Sequence, residues 1–180
     1  EAAEELGLRL PDDFHDALVG SSEEASYQKL VQVTGMALPF DDWVRLRYGR
    51  YLKGLDAVTP HQMSLDLWHS LDDLQVLQAT VSNSDRMLVE ANLQILGLSV
   101  PRAISVTRND VRNGKPDPEP YLRAAHLLGV EPAECAVIED SATGRQAGLA
   151  AGMQVFVMPW YDGMTPETPR IESLIEMAAA

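Results

Sequence analysis

Apolar positions recur with two different rhythms along the chain. Over residues 1 to about 72 they follow helical spacing between clear punctuation marks. Ser21 with Glu24 three residues later reads as a capping box, Leu30, Val31 and Val33 follow, and Gly35 closes the segment. A second helix is predicted from Phe40-Asp41-Asp42 through Trp43, Val44, Leu46, Tyr48 and Tyr51 to Gly54. Thr59-Pro60, as an N-cap and first-turn proline, predicts a third that carries Leu65, Leu67, Trp68 and Leu71. Ahead of these, the helix-forming residues after Glu1 stop at Gly7, which reads as the end of a helix whose beginning is missing.

From Leu74 onward, short β-branched runs alternate with amphipathic helices. The predicted strands are Val76 to Val81, Ala103 to Val106, Cys135 to Ile138 and Gln154 to Met158, each uniformly apolar and therefore buried. Between them lie helices from Met87 to Leu96 closed by Gly97, from Pro120 to Leu128 closed by Gly129, and from Ala142 to Ala151 closed by Gly152. This alternation predicts an α/β class: a Rossmann-like parallel sheet built on right-handed crossovers, with ligands at the carboxyl ends of the strands. The expected domains are a helical unit with its flanking helix over 1–72 and an α/β core over 73–180.

The residues at those strand ends carry the candidate chemistry. Ser82, followed by Asn83-Ser84-Asp85 and a helix, offers a hydroxyl and free backbone N–H groups to an oxyanion; ordinary helix capping is the alternative. Lys115 stands between Gly114 and Pro116, and proline restricts the residue before it, so the ammonium is aimed by the chain unless it is simply a solvated loop lysine. Glu139 and Asp140 end a buried strand, where a carboxylate pair is costly without a cation. Hard oxygen ligands of this kind suit Mg²⁺; helix capping by Asp140 and Ser141 is the alternative. A hydroxyl, a lysine and a carboxylate pair on one rim make a phosphoryl-transfer site.

Charge narrows the partners. Twenty-seven Asp and Glu against 14 Lys and Arg leave a net charge of −13, which argues against nucleic acid or an anionic membrane surface. No apolar run approaches the roughly 20 residues that span a bilayer, and the single Cys135 makes no internal disulfide, so a cytoplasmic setting is expected. Arg45, Arg47, Arg50 and Lys53 cluster on one helix; they read as a solvated face paired to Asp41 and Asp42, with an anion-binding surface as the alternative. His15, His61, His69 and His126 lack zinc-ligand spacing.

Three blocks, Val81-Ser82-Asn83-Ser84, Asn113-Gly114-Lys115-Pro116-Asp117-Pro118 and Val137-Ile138-Glu139-Asp140-Ser141-Ala142-Thr143-Gly144 with Ala150-Ala151-Gly152-Met153 behind it, resemble motifs two to four of the haloacid dehalogenase superfamily. The likeness is to its helical-cap branch of sugar phosphatases, phosphoglycolate phosphatase and β-phosphoglucomutase, with residues 1–72 resembling the cap and its flanking helix. The resemblance implies that Ser82, with Asn83 beside it, binds the phosphoryl group and that Lys115 holds the nucleophile and phosphate charges together. It implies that Asp140 binds Mg²⁺ directly and Glu139 directly or through water, and that Gly144, Ala147 and Gly148 keep the following helix close to the sheet.

The first motif of that family, an Asp-x-Asp pair, occurs nowhere in the chain. In relatives its strand lies between those corresponding to Val76–Val81 and Cys135–Ile138, and without it a gap of about 9.6 Å would separate them. The expectation is a truncated chain lacking roughly 20 to 30 leading residues and inactive without its nucleophile. The intact protein is expected to be a Mg²⁺-dependent phosphatase for a small phosphorylated metabolite, a sugar or polyol phosphate, working through an aspartyl-phosphate as a monomer or weak dimer. The alternatives are a hexose-phosphate mutase, a catalytically dead phosphate- or protein-binding domain, and a metal-independent dehalogenase of small haloacids.

Overall fold

A computed structural model describes residues 2–14, 18, 22–98, 104–158 and 174. The chain divides into two compact units, Glu1–Val58 and Thr59–Ala180. The first contains α1 (Ala2–Glu5), α2 (Glu23–Thr34) and α3 (Phe40–Lys53). Its core joins Ala3, Phe14, Leu30, Met36 and Trp43, with Tyr27, Val31 and Leu46 packed around them. The cap of α2 is Ser22, whose hydroxyl accepts the Ala25 N–H at 3.2 Å. The expected partner of Glu24, Ser21, lies outside the described residues, and with Ser22 in the cap Glu24 falls one position short of the site a capping box requires. Gly35 closes the helix as read, left-handed at φ 68° and donating to Val31 O.

The second unit contains α4 (Gln62–Asp73), β1 (Ala79–Val81), α5 (Arg86–Ile95), β2 (Ile104–Val106), α6 (Glu119–Leu128), β3 (Ala136–Glu139), α7 (Ala142–Ala150) and β4 (Gln154–Val157). Helix α4 starts after His61, two residues later than Thr59-Pro60 predicts, because the His61 carbonyl is the first that the helix takes up. It buries Leu67 and Leu71 against Ile138 and Met158, which places this flanking helix with the α/β unit.

Strand β1 is shorter than the apolar run Val76–Val81. Gln75 turns left-handed at φ 60°, its N–H reaches Asp72 O at 2.9 Å, and the Val76 N–H reaches Leu71 O at 3.0 Å. This is a Schellman end to α4 built without glycine. Residues 76–78 are therefore its exit, and Val76 and Leu77 stay exposed. The second strand was expected to begin at Ala103, which lies outside the described residues.

Strand β1 pairs in parallel with β2 (Val81 opposite Val106), and β3 in parallel with β4 (Glu139 opposite Val157). Among the described residues no ladder joins β1 to β3. Helix α6 spans both pairs. Its Tyr121 and Ala125 share one core with Val137, Ala147, Met153 and Val155, and Val81 packs against it. Helix α7 lies close on β3 and β4: a Cβ on Gly148 would sit 2.8 Å from Val155 Cγ2 and 3.2 Å from Val137 Cγ1. Gly148→Ala is expected to lose about 1–3 kcal/mol in urea unfolding; wild-type stability would contradict that packing. No helix among the described residues is long and apolar enough to cross a membrane.

Candidate active site

All five residues singled out in the sequence stand at the carboxyl ends of β1 and β3 or in the loop that reaches between them. Ser82 follows β1, Glu139 is the last residue of β3, Asp140 follows it, and Lys115 lies in the loop before α6. The Lys115 ammonium joins the two strand ends. It donates to Val81 O at 3.3 Å and forms an ion pair with Glu139 Oε1, both side chains being almost wholly buried. One N–H of the ammonium remains without an acceptor among the described residues.

Glu139 is the most heavily satisfied group of the site. Oε1 accepts from Lys115 Nζ and, at 2.5 Å, from the Tyr121 hydroxyl. Oε2 accepts from Ser141 Oγ at 2.8 Å and from the Asp140 N–H at 3.3 Å. Burial alone would push this carboxyl up, but the Lys115 charge and the Lys115, Tyr121 and Ser141 hydrogen bonds hold it below its ordinary value. Burial and the adjacent carboxylate push the Tyr121 phenol far up, so it stays protonated and donates. The backbone makes room for this carboxylate: a Cβ on Gly144 would fall 1.9 Å from Glu139 Cδ.

Donors occupy four acceptor positions on Glu139, so of the two expected roles, direct metal ligand or ligand through water, the direct one would have to displace a donor. Asp140 is exposed, and among the described residues no hydrogen bond reaches its carboxylate. It is the residue whose oxygens fit Mg²⁺, which commonly takes one or two protein carboxylates with substrate phosphate and water. Among the described residues there is no cluster of three His, Cys, Asp or Glu to cage a metal.

Ser82 continues the β1 ladder through its N–H to Val106 O at 2.9 Å, and its hydroxyl accepts the Ser84 N–H at 3.1 Å. Its own proton remains to be donated. Two contacts from the turn after β2 steady this loop: Arg108 N–H to Ser84 O at 3.1 Å, and Arg86 N–H to Asn109 Oδ1 at 2.8 Å. That turn is itself tied by Asp110, whose Oδ2 accepts from Thr107 N–H, Thr107 Oγ1 and Arg86 Nη2. The Asn83 carboxamide faces the Lys115 peptide. The Lys115 loop is folded by Glu119, which accepts the Arg112 and Asn113 N–H groups at 3.0 and 2.9 Å.

Sequence reading missed two contributors. Tyr121 lies within the predicted helix Pro120 to Leu128 and is not singled out there, although a buried acid nearby calls for buried donors. Ser141 reads only as a cap; its hydroxyl accepts the Gly144 N–H at 3.1 Å and at the same time donates to Glu139. The basic face of α3 is engaged within its own unit, Arg45 with Asp42, Arg47 with Glu23 and Arg50 with Glu5.

Residues 12–152 match the family described as haloacid dehalogenase-like hydrolase. The Bacillus subtilis (strain 168) protein YhcW, named as a candidate phosphatase, is 31% identical over 160 residues, covering 88% of this chain and 73% of the relative. Hexitol phosphatase A of Escherichia coli (strain K12) is 33% identical over 119 residues, covering 66% of this chain and 53% of the relative. A crystal structure of a hydrolase from Pseudomonas syringae shares the fold with a TM-score of 0.72 at 23% identity, covering 99% of this chain and 80% of the other.

Proposed function

The chain belongs to the haloacid dehalogenase-like hydrolase family, and on that premise we propose that it is the cap-and-core part of a Mg²⁺-dependent phosphatase for a small sugar or polyol phosphate. The observation that carries this reading is the Lys115 ammonium, held between the ends of β1 and β3 by Val81 O and Glu139. A fixed cation there, with Ser82 and Asp140 each following one of the same two strands, suits a transferring phosphoryl group, whose charge must be met by preorganised donors. The hexitol phosphatase relative supports the substrate class.

In this reading the nucleophile is an aspartate outside these 180 residues, on a strand that takes the place between β1 and β3. Two facts support it: the absence of any Asp-x-Asp within the chain, and the lack of a ladder between those strands among the described residues. Lys115 then holds that carboxylate and the phosphoryl oxygens together, Ser82 donates to a phosphoryl oxygen, and Asp140 holds the metal, which supplies charge to the transferring group. Glu139 orients Lys115 without leaving its own donors. Residues 1–58, with α4 as the flanking helix, correspond in this reading to the helical cap.

The test is phosphate release from a panel of hexose and hexitol phosphates by the protein that carries this chain with its leading segment, with Mg²⁺ and after chelation. Mg²⁺-dependent release is expected. Chloride release from haloacids without metal would overturn the reading in favour of a dehalogenase, and isomerised sugar phosphate without free phosphate would favour a mutase. Asp140→Asn is expected to weaken Mg²⁺ binding at least about tenfold by calorimetry; unchanged affinity would remove Asp140 from the metal site.

A further inference from the structure

We propose that Asn83 is a positioning residue: it aims Lys115 by clamping that residue's own peptide groups, and does not itself touch the phosphoryl group. The proposal rests on the phosphoryl-transfer reading of the site.

Asn83 Oδ1 accepts the Lys115 N–H at 2.8 Å, and Asn83 Nδ2 donates to the Lys115 C=O, also at 2.8 Å. One residue's side chain thus satisfies both backbone groups of another 32 positions away, as a neighbouring strand would. The orientation of the carboxamide is determined by this pairing, because reversing it would set donor against donor and acceptor against acceptor. The approach also explains Gly114. A Cβ there would lie 2.6 Å from Asn83 Oδ1 and 3.2 Å from its Cγ, so the clamp requires a bare backbone next to the lysine.

The functional weight lies in what the clamp fixes. Lys115 has a long flexible stem, and its ammonium must arrive between Val81 O and Glu139 Oε1. Glu119 holds the loop before Lys115 at residues 112 and 113, and Asp117 holds the turn after it, its N–H on Gly114 O at 3.1 Å. Among the described residues Asn83 alone grips the lysine's own peptide from β1's side of the site. It therefore ties the origin of the stem to the same loop that carries Ser82, so that hydroxyl and ammonium keep one spacing. Displacing a positioned group by about 1 Å can cost up to about 10²-fold.

The test is a double-mutant cycle read by orthophosphate affinity in the presence of Mg²⁺. Asn83→Ala is expected to weaken orthophosphate binding about tenfold in the wild-type background and to have no further effect in Lys115→Met. Equal effects in both backgrounds would mean that Asn83 contacts phosphate directly, and would overturn the proposal. If Asn83→Ala does not fold, the near-isosteric Asn83→Leu removes both hydrogen bonds while keeping bulk. Hydrogen exchange of the Lys115 amide is an independent readout that needs no ligand: slow in the wild type and at least about tenfold faster in either variant. Fast exchange in the wild type overturns the clamp. A wild-type protein that binds no orthophosphate and releases none, yet protects this amide, would instead overturn the phosphatase reading and, with it, the role assigned to the clamp.

Discussion

Lys115→Met is expected to weaken orthophosphate binding about a hundredfold while leaving it measurable, and to destabilise the α/β unit by about 3–5 kcal/mol at neutral pH, because it leaves the buried Glu139 carboxylate without its cation. Methionine keeps most of the stem's bulk, so the loss reports charge more than volume. The pH dependence gives the sharper signature. In the wild type the Glu139 carboxyl is held below its ordinary 4.5, so its contribution to stability is present above that value and fades as the pH falls through the folded-state value. Without Lys115, burial still raises the carboxyl while its two largest lowering contributions are gone, so it moves up from its wild-type position. The variant's penalty is then small below the wild-type value and grows as the pH rises through the new value. The stability gap between the two proteins, measured by urea unfolding, should be widest near pH 7 and shrink as the pH falls through both values. A gap that does not change with pH would show that the ion pair is not what the lysine contributes.

The second large effect is expected from adding one methyl group. In Gly144→Ala the new carbon would lie 1.9 Å from Glu139 Cδ and 2.1 Å from each carboxylate oxygen. The carboxylate must then leave Ser141, Tyr121 and Lys115, or α7 must lift from the sheet. Either way the expected loss is about 3 kcal/mol or more, together with loss of orthophosphate binding. Truncating the acid should relieve the collision, so Gly144→Ala combined with Glu139→Ala is expected to be more stable than the sum of the two single effects. A Gly144→Ala protein within about 1 kcal/mol of wild type would mean that the helix and the acid are not in this contact.

Much of this arrangement was legible in the residues, for local reasons. Strand-helix alternation gave the layers, and glycines at 35 and 129 closed their helices in left-handed geometry as read. Lys115 and the Glu139-Asp140 pair stood out because a proline-locked cation and two acids at a buried strand end are costly without a use. What stayed hidden was non-local or conformational. Val76 and Leu77 look like strand, and only a left-handed Gln75 turns them into a helix exit. The donors to Glu139 come from a different helix and from a serine already accounted for as a cap. The pairing of the Asn83 side chain with the Lys115 peptide was equally hidden, because the two lie 32 residues apart, beyond any periodicity.

The double use of the Ser141 hydroxyl has one more consequence. The same oxygen that starts α7 also steers Glu139, so displacing that hydroxyl removes the helix cap and one contact of the acid together. Heat or denaturant cannot loosen Glu139 by this route without fraying the first turn of α7 as well. Readiness for chemistry in this corner of the molecule is thus tied to the melting of one helix end.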